Sequence, residues 1–458
     1  MHRSIRPLPL LALALLPGCA DRSIASVYPV QGKVETKDLP AVPNRDVDIL
    51  FLVDNSRSME AEQASLRANF PRFMSVLETL EGGLPNVHIG VATSNYGQHA
   101  SDGVGTQGFG ASCAASGDDG NLRTAPTLFN GRYIVDEEGG GGARTRNYTG
   151  TLADAFSAIA NVGIDGCGIE QHLGSIQRAI ENPGNAGFIR KNAKLAVIVI
   201  ADEDDCSLAH KSLFDLPSQG NVSDIVNFRC TSSGIECDDQ PDLTIPGERN
   251  DCRPKENSQY LNSVDSYVDY LESLKADPDD DIIVAGIVGD PTKFKITTNA
   301  GTPVLAPSCE YGDQTAFPAI RTNAFLEQFP NHVQTSICGA DLSQALVDIG
   351  ATLKRAFGDY CFENPVADLD PDTDGLQADC TVTDVRRLPG NAEEELAVIP
   401  QCGTGRIPCW KIEQDPEKCF YTSAHDKLVI DRNGVVPSSD VHVKVNCVTT
   451  DDSGGGQL

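Results

Sequence analysis

The chain has 458 residues, enough for two or three domains, and carries a formal net charge of −29 from 65 acidic against 36 basic side chains. That balance excludes nucleic acid and anionic membrane surfaces as partners, because both are held by clustered Lys and Arg. Divalent cations are the natural counter-ions of such a chain.

The chain begins with an export signal. Arg3 and Arg6 form a positive region, Pro7 to Leu15 a short apolar core, and Leu16-Pro17-Gly18-Cys19 follows where cleavage belongs. The tetrapeptide resembles the lipobox of bacterial lipoproteins, which implies loss of residues 1–18 and acylation of Cys19. Ala20 is compatible with outer-membrane sorting. Residues 19–44 read as the lipidated Cys and a tether, without periodicity and with Pro29, Pro40 and Pro43. No later apolar run spans a bilayer, the longest being Leu195 to Ala201, so membrane contact is expected through the lipid alone. Of 15 cysteines, setting Cys19 aside leaves an even number without CxxC pairs. In an exported chain that reads as up to seven disulfides, with Cys237 and Cys252 expected to pair.

The first element of the body is Asp46-Val-Asp-Ile-Leu-Phe-Leu-Val-Asp54, an apolar run short enough to be a strand buried on both faces. Leu66, Phe70, Phe73, Leu77 and Leu80 mark a helix that Pro71 should kink. Val87 to Ala92 is a second buried strand. Tyr133 to Val135 is expected as a returning edge strand, and Glu138 to Arg146 as glycine-rich loop. Leu152 to Ile159 is helical, and Ile169, Leu173, Ile176 and Ile180 form a further helical stripe. Leu195 to Ile200 and Asp281 to Val288 are buried strands, with a helix carrying Val264, Val268, Leu271 and Leu274 between them. A helix near Ala319 to Phe329, a strand at Val333 to Ile337 and a helix with Leu342, Leu346, Ile349 and Leu353 complete the pattern. Strands alternating with amphipathic helices predict an α/β domain over 45–358, a doubly wound, mostly parallel sheet flanked by helices. Irregular insertions interrupt it at about 96–130, 206–256 and 290–316.

From Cys361 the helical periodicity disappears. Residues 361–450 hold six cysteines and read as a small disulfide-rich, mainly β domain, followed by a disordered tail at 451–458. Leu428 to Val436 is expected as a hairpin turning at Asn433-Gly434, and Val441 to Val445 as a half-buried strand.

In an open parallel sheet, ligands bind where the carboxyl ends of the strands meet. Asp54-x-Ser56-x-Ser58 leaves the first strand there, and Asp202 leaves what should be its neighbour. Two carboxylates and two hydroxyls suit Mg²⁺, Ca²⁺ or Mn²⁺ and not zinc. The residues resemble the von Willebrand factor A domain with its metal-ion-dependent adhesion site, over roughly 46–357. The resemblance implies a cation-dependent protein-binding module, whose second and third strands form a hairpin, with Asp54, Ser56, Ser58 and Asp202 as ligands. The family's middle ligand, a threonine, falls at Cys167, so Glu170 is the possible substitute. Asp202 is followed by Glu203, Asp204 and Asp205 where the family has glycine. These acids are read as an acidic rim or a second cation site.

Asp370, Asp372 and Asp374 are second-cation candidates, since Asp370-x-Asp372-x-Asp374-Gly375 resembles the start of a calcium loop. Thr381 stands at its twelfth position and no helices flank it, so an acidic linker is the preferred reading. Enzyme motifs such as HExxH and GxSxG are absent, and His172 reads as a structural histidine. The expectation is a non-enzymatic, lipid-anchored envelope protein, on the periplasmic or surface side of the outer membrane, binding a protein or other macromolecule through its metal rim. The alternatives are a structural envelope or assembly protein with a vestigial metal site, and a metal-dependent hydrolase using Asp202, Asp204 and Asp205.

Overall fold

A computed structural model describes residues 32–450 apart from 42–43, 81–82, 106–112, 114–116, 139–142, 215–221, 313, 358–359, 389–391, 404, 420–421, 436 and 439. The signal segment, Cys19 and the tail at 451–458 lie outside the described residues. The elements are β1 (Gly32–Pro40), β2 (Asp46–Val53), α1 (Glu60–Glu78), β3 (Asn86–Thr93), β4 (Ile134–Glu138), β5 (Arg144–Arg146), α2 (Leu152–Ile159) and α3 (His172–Glu181). They continue with β6 (Lys194–Ile200), α4 (Val222–Gly234), α5 (Val264–Glu272), β7 (Ile282–Val288), α6 (Ile320–Leu326), β8 (Asn331–Ser336) and α7 (Ser343–Ala356). The last are β9 (Cys380–Leu388), β10 (Ala392–Ile399), β11 (Cys409–Gln414), β12 (Asp426–Asp431) and β13 (Val441–Thr450).

The central sheet is mixed, in the order β8-β7-β6-β2-β3-β4-β5. The strands from β8 to β3 are parallel, and β4 and β5 are antiparallel additions at one side. Because side chains alternate along β2, its two faces feed two separate cores. Ile49, Phe51 and Val53 pack with Phe70, Phe73, Phe156, Leu346 and Ile349, from α1, α2 and α7. Leu50 and Leu52 pack with Leu173, Ile176, Val268, Leu271 and Phe325, from α3, α5 and α6. Gly350 admits this packing on the first face: a Cβ there would stand 2.9 Å from Cβ of Val76. No helix among the described residues is long and apolar enough to cross a membrane.

Several expectations are corrected. α1 runs as one element through Pro71. β4 is not the edge, because Arg144–Arg146 adds β5 beyond it, where Arg144 donates to Asp136 (2.5 Å) and to the carbonyls of Leu84 (2.9 Å) and Pro85 (2.7 Å). The stripe of α3 starts at Leu173, whereas Ile169 packs with Cys113, Cys167, Cys206 and Leu213 in a cluster of its own. Asn433-Gly434 does turn the chain, yet β12 pairs antiparallel with β11 and not with the segment after the turn. Most consequential is the tether, since residues 32–40 form β1 and pair along their whole length with β13.

β1 therefore belongs to the C-terminal unit, whose sheet runs β1-β13-β9-β10. Leu39 of β1 enters its core with Phe362, Val382, Trp410, Leu428 and Val443. Among the described residues seven disulfides use every cysteine but Cys19. Three of them, Cys361–Cys419, Cys380–Cys447 and Cys402–Cys409, close this small unit. The expected Cys237–Cys252 bond is present.

The three insertions join one another. Backbone N–H groups of Ser101 and Asp102 donate to Leu208 and Ala209 (3.0 and 3.1 Å), linking the first to the second. Gly247–Arg249 pairs with Phe294–Asn299, linking the second to the third. They meet the strand ends of the main sheet, where the N–H of Cys206 donates to the Glu170 carbonyl (2.8 Å) and that of Phe317 to the Asp202 carbonyl (2.7 Å).

Candidate metal centre

The register of the sheet sets Val53 beside Ile200, so β2 and β6 end side by side. The N–H of Asp54 then donates to the Ile200 carbonyl (2.9 Å), which fixes Asp54 next to Asp202. Asp54 is fully buried. Its Oδ1 accepts from the N–H of Ser56 (2.8 Å) and from Oγ of Ser94 (2.9 Å), and its Oδ2 lies 3.3 Å from Oγ of Ser56. The hydroxyls of Ser56 and Ser58 are 3.0 Å apart. Burial raises the Asp202 carboxyl above its ordinary value, against hydrogen bonds from Glu203 and Ser58.

Asp54, Asp202 and Glu203 each bring a carboxylate oxygen to within 4.8 Å of the others, and among the described residues they are the one such group of potential ligands. Three carboxyl groups this close cannot all carry charge at little cost where burial has removed most of the water. Burial and the charge of Asp202 push the Asp54 carboxyl up to about 6. Burial, then Asp202 and Glu170, drive Glu203 well above the usual carboxylate range. Oδ1 of Asp202 is buried without a hydrogen-bond partner. A hard divalent cation answers both features, since it takes oxygen donors and cancels their repulsion. The donor set fits Mg²⁺, Ca²⁺ or Mn²⁺: the carboxylates of Asp54, Asp202 and Glu203 with the hydroxyls of Ser56 and Ser58.

Glu170 stands beside this group but outside it. It is buried and raised well above its ordinary value by burial and by Asp54 and Asp202. Cys167, at the place of the family's threonine, is bonded to Cys113 and offers no ligand. The preceding Gly166 touches the site loop, its N–H donating to the Asn55 carbonyl (2.8 Å). A Cβ on Gly166 would lie 2.3 Å from Oδ1 of Asn55, so only glycine fits.

The acids after Asp202 divide by direction. Asp204 accepts from the N–H groups of Arg321 and Thr322 (both 2.9 Å), and so caps α6. Asp205 accepts from the N–H of Leu173 (3.0 Å) and pairs with Arg321 (3.1 Å), both side chains being fully buried. The expected rim or second cation site at these acids is therefore corrected: Glu203 turns to the metal group, while Asp204 and Asp205 hold the fold together. Asp370, Asp372 and Asp374 lie in a turn between Asp368 and Ala378, where Asp370 accepts from Thr373 (2.8 Å). They are not among the groups whose oxygens converge.

Sequence reasoning missed two neighbours of the centre. Ser94 follows β3 at the same rim, a position that the strand-end logic used for Asp54 could have flagged. His172 is fully buried, with neither ring nitrogen hydrogen-bonded, at the start of α3. Burial lowers its pKa, against the pull of Asp54 and Asp205.

Parallel strands, an antiparallel β3–β4 pair and Asp54-x-Ser56-x-Ser58 at the end of β2 are the features that the resemblance to the von Willebrand factor A domain implies. No family model and no curated protein matches the chain. Solved structures similar to it include a von Willebrand factor type A protein from Catenulispora acidiphila, at 10% identity, TM-score 0.26, covering 93% of this chain and 67% of that one. Another is the pilus adhesin RrgA from Streptococcus pneumoniae, at 12% identity and TM-score 0.28, covering 91% and 58%. A third is the type V pili tip protein Mfa5 from Porphyromonas gingivalis, at 11% identity and TM-score 0.29, covering 93% and 69%. The chain thus spans less than two thirds of the length of RrgA. At these scores the superpositions are loose, and what the chain shares with these proteins is the coarse fold.

Proposed function

We propose that the protein is an exported, lipid-anchored envelope protein that binds a protein partner at a rim organised by a divalent cation. The observation that carries this is the convergence of Asp54, Asp202 and Glu203, with Ser56 and Ser58, on one point at the strand ends. The bound ion would supply positive charge at the rim and fix the loop that carries Ser56 and Ser58. Ser58 is exposed and Glu203 half-buried, which leaves an approach for a partner from the side of the α1 start. The disulfides fit an oxidising, extracytoplasmic compartment. The anchor is Cys19, with its membrane contact confined to the lipid.

One observation favours a second reading, in which the ion is structural and the protein serves envelope assembly. Asp54 and Asp202 are buried, and backbone bonds from Cys206 and Phe317 bind the insertions onto Glu170 and Asp202. Calorimetric titration of Mg²⁺, Ca²⁺ and Mn²⁺ into the purified protein, beside Asp54→Ala, tests the shared premise. Binding that Asp54→Ala abolishes supports the centre; no binding, or the same binding in both proteins, rejects it. Capture of envelope proteins with and without chelator, compared between the wild type and Ser58→Ala, separates the two readings. Partner binding insensitive to both treatments leaves the structural one.

A further inference from the structure

One buried acid near the centre has no role in the reading above. Glu62 sits in the first turn of α1 and is 3% exposed. Its Oε2 is buried and has no hydrogen-bond partner. It directly precedes Gln63, whose side chain bonds to the Asp54 carbonyl, so this first turn of the helix lies against the loop that leaves β2. Asp202 presents the matching feature, an Oδ1 that is also buried and unpartnered. Two buried acceptor oxygens, from α1 and from the turn after β6, thus lack a donor among the described residues.

The side chain next to Glu62 fixes its place. Nε2 of Gln63 donates to the carbonyls of Asp54 (3.0 Å) and Gly163 (2.9 Å), which fastens this turn of α1 to the loop carrying the ligands. Glu62 is not one of the three acids whose oxygens lie within 4.8 Å of one another, so direct ligation of the same ion is not its part. Magnesium-like ions keep several waters, and a water on the ion is a strong donor in need of an acceptor.

We propose that Glu62 is a positioning residue of the cation centre, its Oε2 accepting a hydrogen bond from water carried by the ion at Asp54, Asp202 and Glu203. The inference rests on the cation reading above. It sets an unlike outcome from that of a merely structural acid. Removing an unpartnered buried carboxylate should leave the metal-free fold as stable or more so, yet weaken the ion.

The test uses the full chain and three variants, Glu62→Gln, Glu62→Asp and Asp54→Ala. Mn²⁺ affinity is measured by calorimetry, and the melting temperature is measured with chelator and with Mn²⁺. The expected result is about 10- to 100-fold weaker Mn²⁺ binding in Glu62→Gln, with a smaller loss in Glu62→Asp, which keeps the charge but shortens its reach. The metal-free melting temperature of Glu62→Gln stays at or above that of the wild type. Unchanged affinity in Glu62→Gln, while Asp54→Ala abolishes binding, overturns the role of Glu62 and leaves the centre standing. Absence of binding in the wild type overturns both. Should Glu62→Gln fail to fold, Glu62→Asp decides, and Mn²⁺ affinity equal to the wild type's then overturns the proposal.

Discussion

Arg321 and Asp205 meet without solvent, 3.1 Å apart, between α6 and the turn that follows β6. Arg321 also donates to the carbonyls of Asp205 (3.2 Å) and Asn262 (2.8 Å), so one guanidinium holds the two segments that flank the second insertion. Removing one partner of such a pair strands the other charge in a dry site. Asp205→Ala is therefore expected to cost about 3–5 kcal/mol in urea unfolding, with cation affinity falling only as the fold is lost. Four acids in a row, Asp202 to Asp205, look alike as letters. Asp202 and Glu203 converge with Asp54 while Asp204 and Asp205 turn to α6 and α3, a division that side-chain type alone does not encode. That Asp54, Ser56, Ser58 and Asp202 lie together was legible because β2 and β6 end side by side.

At the scale of elements, the buried strands and the helices with one apolar face were readable from periodicity, and β2, α2 and β6 fall where it puts them. β1 was not. Along Gly32–Pro40 only Leu39 is buried, so an edge strand with almost no apolar face reads as linker, and its partner β13 lies at the far end of the sequence. A chain beginning at Asn44 lacks β1, and its β13 then becomes an edge. Its β13 amides are expected to exchange hydrogen faster than in the full chain while those of β6 exchange alike in both, and the small unit to melt at a lower temperature than in the full chain. Equal β13 exchange in both proteins contradicts this. The Cys113–Cys167 bond joins the first insertion to the loop before α3, across a sequence separation of 54. Replacing both cysteines by serine is expected to cost about 2–4 kcal/mol on unfolding, the range for a bridge that closes a long loop.

For the molecule as a whole, the net charge of −29 makes the compact state repel itself, and the most concentrated repulsion is the buried group at Asp54. An ion that binds only the folded chain stabilises it by mass action, by about 2.7 kcal/mol at one hundred times its dissociation constant. The melting temperature is expected to rise with added Mg²⁺, Ca²⁺ or Mn²⁺ until the site saturates, and to fall with chelator. Asp54→Ala is expected to show neither effect. A rise of equal size in that variant would mean that the cations act by screening the surface and not at the centre.

β1 also has a mechanical meaning. Its nine residues are extended, about 26 Å from Gly32 to Pro40, and β2, which begins six residues later at Asp46, leads to Asp54. Tension applied between Gly32 and Asp54, at the rim of the sheet, travels along this one covalent line. The remainder of the small unit hangs beside it, closed by Cys361–Cys419, Cys380–Cys447 and Cys402–Cys409. A strand already at full stretch has no slack to surrender. In single-molecule pulling between those two points, the small unit is expected to add no early lengthening step, so that a load would reach the rim undamped.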